Sequence, residues 1–303
     1  MSLSSLFKLS GLSSRSALKQ VSVKYLRQML DEFAGFLNED LPRVGAFHPK
    51  VPYKEIDGTQ LTMDVTVPSG VGPYPVLVYL HGGAWIWGSP TTHQKLTHRL
   101  AEQGFLTLSV DYRLAPENPF PAGFNDCIHA IYFAAQFAEK WGGDPKRMVI
   151  AGDSAGANLA AATSIELANS VAAPVIHAVG LLYGVYDFRT EQKPDIMSEL
   201  LNKAYLNGEQ HLIEDPRVSP LLKTVSLPPA FVAIGSEDDL IDDAERLRAE
   251  LLANDKVHEY HVYTGMPHAF AQMEFLPSAR SCIRDMTNFL HKIVPKTSGA
   301  KTK

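Results

Sequence analysis

Ser154 is the residue of this chain whose surroundings best suit covalent chemistry. It stands at the centre of Gly152 to Gly156, which reads Gly-Asp-Ser-Ala-Gly, between the apolar run Met148 to Ala151 and an alanine-rich stretch. Between a buried strand and a helix, Gly-x-Ser-x-Gly predicts a sharp turn that lifts the serine hydroxyl above a sheet, because the glycines lack the Cβ atoms that would obstruct it. A serine hydroxyl alone is a weak nucleophile, so this interpretation requires a base.

A second segment could stabilise developing negative charge. The apolar run Val76 to Leu80 ends in His81 to Trp85, which reads His-Gly-Gly-Ala-Trp. Two consecutive glycines let backbone N–H groups point into a cavity, and each preset donor is worth roughly 3–4 kcal/mol in the transition state of acyl transfer. We predict that the N–H groups of Gly82, Gly83 and Ala155 donate to this oxyanion, and that the histidine of the segment supports the loop.

His268 is the candidate base among eleven histidines. It follows the last predicted strand in a Gly-Met-Pro-His loop, where an imidazole can lie over the carboxyl end of a sheet. Asp238 follows the predicted strand Phe231 to Ile234, and a carboxylate there can fix the tautomer of the imidazole and stabilise the imidazolium. The chain order Ser, Asp, His is the order found in α/β-hydrolases. Other carboxylates leave the acid open, namely Glu237, Asp239, Asp242 and Asp187.

Composition narrows the class of protein. The 303 residues are 45% hydrophobic and 20% charged with a formal net charge of −5, which gives no basic footprint for nucleic acid. Cys127 and Cys282 lack the spacing of a disulfide framework or a zinc site, so the sequence predicts neither of these. Because no apolar run reaches the ~18–20 residues of a membrane span, we expect no stable membrane insertion.

The hydrophobic pattern near the N-terminus predicts a helix followed by a hairpin. Helical spacing of apolar residues from Tyr25 to Leu37 indicates an amphipathic helix with a face to bury, and Gly45 to Pro52 breaks the pattern. Two β-like runs follow, Tyr53 to Ile56 and Leu61 to Val67. They flank Asp57-Gly58, a pair typical of a tight hairpin turn.

From Val76 onward, short apolar strands alternate with helices. This alternation indicates a mostly parallel sheet with helices on both faces, so the fold class is α/β, with the hairpin adding antiparallel strands at one edge. The predicted strands are Val76–Leu80, Leu106–Val110, Met148–Ala151, Val175–Leu182, Phe231–Ile234 and Glu259–Tyr263, and the predicted helices are Gln94–Glu102, Phe124–Lys140, Ala155–Ala168 and Asp242–Leu252.

We divide the chain into a small N-terminal helical cap, residues 1–50, a catalytic domain, residues 51–295, and a disordered tail, residues 296–303. The first thirty residues are rich in serine and basic side chains. That composition also fits an organelle transit peptide, although it lacks the apolar core of a secretory signal. The expected location is the cytoplasm, with the transit peptide as the alternative.

Taken together, the motifs resemble the hormone-sensitive-lipase-like branch of the α/β-hydrolases over roughly Val51 to Leu290. The oxyanion, nucleophile and histidine segments match, and so do Asp111 to Ala122 and Asp215 to Leu221. The resemblance implies a cofactor-free carboxylesterase for short or medium acyl chains, with the triad named above and an N-terminal cap that shapes the pocket.

Two departures from the family pattern are visible. A third glycine is usual where this chain has Ala84, and Trp85 stands where Phe or Tyr is usual. The usual Asp-Pro-Leu around the acid reads Asp-Asp-Leu at Asp238 to Leu240. Neither departure removes a catalytic group.

The sequence defines the substrate pocket least. Trp85 and Trp87 follow the oxyanion glycines and could wall the pocket, and Phe33 of the first predicted helix could roof it; the same residues could equally be core aromatics. The expected partner is a small-molecule ester, and homodimer formation stays open.

Two other functions fit the same fold. His81 to Trp85 also matches the His-Gly-Gly-x-Trp loop of arylformamidases, which are amide hydrolases, although Asp153 and the segment starting at Asp111 look more like the esterase branch. Plant gibberellin receptors are non-catalytic proteins on this scaffold and lack the catalytic histidine, which is present here as His268.

Overall fold

The computed structural model describes residues 23–189 and 203–296, and its centre is an eight-stranded sheet with the order β1-β2-β4-β3-β5-β6-β7-β8. Strand β2 is antiparallel to both of its neighbours, and all other pairs are parallel. This confirms the predicted mostly parallel sheet with an antiparallel edge. The strands are β1 Ala46–Ile56, β2 Thr59–Val67, β3 Tyr74–Leu80, β4 Leu106–Val110, β5 Gly143–Asp153, β6 Ile176–Leu182, β7 Ala230–Gly235 and β8 His258–Tyr263.

Six α-helices occur within the described residues: α1 Val23–Leu37, α2 Gln94–Glu102, α3 Ala122–Phe137, α4 Ala155–Ala168, α5 Ile241–Ala253 and α6 Pro277–Ile293. Helix α6 has no counterpart in the prediction. Its buried residues Cys282, Met286 and Phe289 recur at helical spacing, so the same periodicity argument applies to it. None of the described helices is long and apolar enough to cross a membrane.

The central strands are apolar throughout because each one faces two cores. On β3, Val76, Val78 and Leu80 belong to the core shared with α3 and α4, whereas Leu77 and Tyr79 belong to the core shared with α2 and α6. All five are fully buried. Since side chains alternate along a strand, a sheet covered on both faces needs an uninterrupted apolar run, which is the pattern that the sequence shows.

The first hairpin forms as predicted, but its first strand is longer. Asp57 and Gly58 have φ angles of 50° and 75°, as a tight hairpin turn requires, and Ile56 pairs with Thr59 across it. The stretch Gly45 to Pro52, predicted as a break, is part of β1 from Ala46 onward. An edge strand tolerates proline because one of its sides makes no ladder hydrogen bonds, and the register of β1 shifts around its prolines.

The first helix forms as predicted and buries only part of its apolar residues. Leu30 and Ala34 are buried at 5% and 1% exposure, whereas Met29, Phe33 and Phe36 are 36%, 37% and 61% exposed. Polar contacts hold the side of α1 that carries Leu30 and Ala34 against the body.

Arg27 makes the most extensive of these contacts. Its Nε donates to the carbonyl oxygen of Ile86 at 2.6 Å, one terminal nitrogen donates to the carbonyl oxygen of Ala115 at 2.8 Å, and both terminal nitrogens bind the carboxylate of Glu117. Just after the helix, Asn38 donates to the carbonyl oxygen of Thr92 at 2.8 Å. Helix α1 is therefore tied to the loops that leave β3 and β4.

The predicted division of the chain is only partly covered by the described residues. Its first boundary, at residues 50 and 51, falls inside β1. Of the first thirty residues, which the transit-peptide alternative concerns, residues 1–22 lie outside the described residues. Residues 297–303 of the predicted tail lie outside them too.

The anchoring of α1 gives a first prediction. Arg27→Ala removes a bidentate ion pair and two hydrogen bonds to carbonyl groups, and we expect it to lower the free energy of unfolding by about 2 kcal/mol. Glu117→Gln, at the exposed end of the same contact, removes only the ion pair and should cost less than about 1 kcal/mol. Urea denaturation measures both, and thermolysin cleavage should be faster in Arg27→Ala. Equal losses for the two variants would contradict this account.

Candidate active site

Ser154 occupies the turn between β5 and α4 in a strained backbone conformation. Its φ of 53° and ψ of −119° lie in a region that residues with a Cβ rarely adopt. Neighbouring backbone holds the turn closely, because a Cβ on Gly152 would overlap the carbonyl group of Gly156, and a Cβ on Gly156 would overlap the carbonyl oxygen of Leu80 at the end of β3. The glycines of the motif are therefore required by the backbone packed against them.

The structure brings the three predicted triad residues into one hydrogen-bonded chain. Ser154 Oγ lies 2.9 Å from His268 Nε2, and His268 Nδ1 lies 2.9 Å from Asp238 Oδ2. Asp238 is 3% exposed, and its other oxygen accepts the N–H of Leu240 at 3.0 Å. A fixed carboxylate at Nδ1 places the ring proton there, which leaves Nε2 to accept the proton of the serine hydroxyl.

The other carboxylates considered as the acid are placed differently. Asp187 is held by the guanidinium groups of Arg189 and Arg246, each at 2.8 Å. The carboxylates closer to Asp238 in sequence are exposed, namely Glu237, Asp239 and Asp242.

The oxyanion segment differs from the prediction at one donor. The N–H of Gly82 donates to Asp153 Oδ1 at 2.8 Å. Because a buried carboxylate engages this N–H, it is not available to a substrate, and Gly82 is removed from the predicted set. Across residues 23–189 and 203–296, the N–H groups of Gly83, Ala84 and Ala155 have no hydrogen-bond acceptor. These three are the candidate oxyanion donors.

Positive φ angles turn the oxyanion segment back on itself. Gly83, Ala84 and Trp85 have φ angles of 120°, 55° and 61°. A Cβ on Gly83 would overlap the carbonyl group of Trp87, so glycine is required there. At Ala84 the left-handed conformation accommodates a methyl group at a cost of about 1–2 kcal/mol.

Asp153 is the hub of a buried polar network behind the oxyanion segment. Besides the N–H of Gly82, its carboxylate accepts the hydroxyl of Tyr79 at 2.7 Å and the side-chain N–H of Gln272 at 3.0 Å, and it lies 3.3 Å from His93 Nε2. Burial acts to raise the pKa of this carboxyl, but the His93 ring and the hydrogen bonds outweigh it and lower the pKa to about 2. Asp153 is therefore an anion at neutral pH.

From the sequence, Asp153 indicates only the likeness to the esterase branch. Tyr79 falls within a predicted strand, and no role is predicted for His93 or Gln272. The available signal was an acidic residue inside an otherwise apolar strand end, since a buried carboxylate must collect hydrogen-bond donors from the residues around it.

The predicted pocket residues have three different environments. Trp85 is 4% exposed and its ring stacks on Tyr205 with centroids 4.5 Å apart, next to Phe188. Trp87 is half-buried and its indole N–H donates to Asp31 of α1 at 2.8 Å. Phe33, on the same helix, is 37% exposed. Trp87 thus connects the oxyanion segment to α1, and a pocket role for all three stays a proposal.

The chain matches the Abhydrolase_3 family model, described as an alpha/beta hydrolase fold, over residues 77–272. It is 35% identical over 233 residues to an esterase of Acinetobacter venetianus, covering 71% of this chain and 74% of that protein. It is 33% identical to the carboxylic ester hydrolase LipN of Mycobacterium tuberculosis, covering 68% of this chain and 60% of that protein. Among solved structures, an esterase of Pyrobaculum calidifontis superimposes with a TM-score of 0.82 at 26% identity, covering 91% of this chain and 94% of that one.

The buried His81 next to this network gives a prediction about pH. Burial and the nearby His93 ring lower the pKa of His81 from 6.5 to about 3. Between these values the folded protein keeps His81 neutral while the unfolded chain binds a proton, so stability falls as the pH is lowered, by about 1.4 kcal/mol per pH unit from this group.

Urea denaturation of wild type and His81→Asn between pH 6 and pH 4 measures this effect. The variant should lose stability less steeply, by about 1.4 kcal/mol per pH unit, whatever its stability at neutral pH. Parallel curves for the two proteins would show that His81 does not resist protonation in the fold.

Proposed function

We propose an acyl preference and residue roles for this chain, which belongs to the alpha/beta hydrolase fold family and is a carboxylester hydrolase. It cleaves esters of short-to-medium acyl chains. Ser154 is the nucleophile, His268 is the general base, and Asp238 is the acid that orients the base. One observation carries the assignment of these roles. It is the pair of 2.9 Å distances that link Ser154 Oγ to His268 Nε2 and His268 Nδ1 to Asp238.

In the acylation half of the reaction, Ser154 Oγ attacks the ester carbonyl carbon while His268 Nε2 takes the hydroxyl proton. The carbonyl oxygen gains a negative charge and is met by the N–H groups of Gly83, Ala84 and Ala155. When the tetrahedral intermediate collapses, the bond to the alcohol oxygen breaks and His268 returns the proton to that oxygen. The alcohol leaves, and the acyl group stays on Ser154.

In the deacylation half, water takes the place of the alcohol. His268 removes a proton from the water, whose oxygen attacks the acyl carbon, and the same backbone donors meet the oxyanion. Collapse breaks the bond to Ser154 Oγ, to which His268 returns the proton. The carboxylic acid leaves, and Asp238 has stabilised the imidazolium in both halves without changing its own protonation.

The proposed pocket adjoins the oxyanion segment. Trp85 lies in an aromatic cluster with Tyr205 and Phe188, and Trp87 joins the segment to α1. Helix α1, with the half-exposed Phe33, would then form one side of the entrance. Apolar aromatic walls suit small, soluble esters, since they bury an acyl chain without a hydrogen-bonding demand. The cap role of residues 1–50, a cytoplasmic location and homodimer formation remain predictions from the sequence.

The triad assignment predicts the effect of three substitutions. Ser154→Ala and Asp238→Asn should each lower kcat for p-nitrophenyl butyrate by about 10⁴-fold or more, because one removes the nucleophile and the other places the wrong tautomer of His268 at the serine. Asp239→Asn is the matched control, since Asp239 is the exposed neighbour of the buried Asp238. It should keep the wild-type kcat, and circular dichroism should show all three variants folded. A folded Ser154→Ala protein with wild-type turnover would refute the assignment.

The proposed acyl preference is tested by p-nitrophenyl esters from acetate to palmitate. We expect kcat/KM to peak at short or medium chains and to fall by at least tenfold at palmitate; a maximum at palmitate would overturn the preference. N-formylkynurenine, the amide substrate of the alternative function, should be turned over far more slowly than the butyrate ester.

A further inference from the structure

Gln272 lies where two parts of the active site meet. It ends the short 3-10 helix Phe270–Gln272, which begins two residues after His268. Its side-chain Nε2 donates to Asp153 Oδ2 at 3.0 Å and lies 2.8 Å from His93 Nε2. The loop that carries the candidate base is thus fastened to the strand end that precedes the candidate nucleophile.

The acceptor of this hydrogen bond also holds the oxyanion segment. Asp153 Oδ1 accepts both the hydroxyl of Tyr79 and the N–H of Gly82, while Oδ2 has Gln272 as its one donor in the described part of the chain. A buried carboxylate oxygen that loses its donor is costly, so the side chain rotates or recruits another donor. Either response disturbs the hydrogen bond to Gly82, which directly precedes Gly83.

We infer that Gln272 is a positioning residue that fixes the place of the base relative to the oxyanion donors. Its amide lies on the His268 loop and donates to Asp153. Asp153 in turn accepts the N–H of Gly82. The inference rests on the proposed roles of His268 and of the N–H groups that follow Gly82. Gln272 itself touches no reacting atom.

The chemistry of the side chain supports this role over simple filling of space. An amide nitrogen carries two hydrogens, and two atoms lie within 3.0 Å of Gln272 Nε2, namely Asp153 Oδ2 and His93 Nε2. A carboxylate of the same shape would face the Asp153 anion, and an aliphatic chain of similar size would leave Oδ2 without a donor. Glutamine meets the requirement because it is neutral and donates.

Loss of this relative placement should weaken stabilisation of the transition state more than it weakens substrate binding. The oxyanion donors and the base engage fully only as the tetrahedral intermediate forms, so misplacing them lowers kcat while KM changes little. A residue needed only for stability would lower the melting temperature and leave the kcat of the folded fraction unchanged.

The first test compares Gln272→Leu with Glu274→Gln. Glu274 is buried in the same loop, but its carboxylate binds Arg99 of α2 at 2.9 Å, away from Asp153. For p-nitrophenyl butyrate, Gln272→Leu should lower kcat by about tenfold or more with KM within about twofold of wild type. Glu274→Gln should lower the melting temperature and keep the wild-type kcat. An unchanged kcat in Gln272→Leu, or an equal loss in both variants, would overturn the inference.

Gln272→Glu keeps the inference testable if Gln272→Leu does not fold. The new carboxyl faces Asp153 and His93, and it can donate to Asp153 only when protonated. The ratio of its kcat to the wild-type kcat should therefore rise as the pH falls from 8 to 5.5, whereas a constant ratio would refute the role. Because wild type and Ser154→Ala are measured alongside, a failure of the Gln272 prediction is distinguished from a failure of the ester hydrolase mechanism.

Discussion

The closeness of β3 and β5 at their carboxyl ends is the constraint on which the site depends. These strands are parallel neighbours, with Leu80 beside Gly152, so the oxyanion segment and the nucleophile turn leave the sheet next to each other. The main chain there is so tightly packed that Gly156 lies against the carbonyl oxygen of Leu80. Backbone donors of one loop can therefore serve the hydroxyl of the other without any long side chain, and they are held rigidly because the sheet behind them is buried on both faces.

A buried anion between the two loops makes that arrangement specific. Asp153 is 1% exposed, and taking a carboxylate out of water is favourable only when donors surround it. The donors come from the end of β3 with the oxyanion segment that follows it and from the loop after His268, and both are distant in sequence from each other and from Asp153. The charge thus obliges three separate segments to adopt one relative placement, and the same placement brings His268 to Ser154. Packing alone constrains side-chain volume, whereas a charge also specifies where the hydrogen-bond donors must be.

Local patterns were sufficient for much of the fold and for naming the candidate reacting groups. The strand and helix periodicities, the Asp57-Gly58 turn and the glycines around Ser154 are properties of short segments, so the prediction held for them. The prediction was wrong where the position of a segment in the folded chain outweighed its local sequence signal. Gly45 to Pro52 was predicted as a break, but most of it is strand, and the prolines of β1 are tolerated because the strand lies at an edge. On α1 the sequence left open which apolar residues are buried, and the contacts of Arg27 and Asn38 hold the side that carries Leu30 against the body.

The sequence by itself determined which chemistry this chain can perform, because the candidate nucleophile, the candidate base and the turn that carries the nucleophile are recognisable from residue types in order along the chain. Only the tertiary structure decided which carboxylate meets His268 and which backbone N–H groups stay free. Asp238 and Asp239 are equivalent in composition, yet one is buried against the imidazole and the other is exposed. Gly82 and Gly83 likewise look alike, yet Asp153 engages the N–H of only the first. Such choices depend on distances between segments far apart in the chain, which no local pattern encodes.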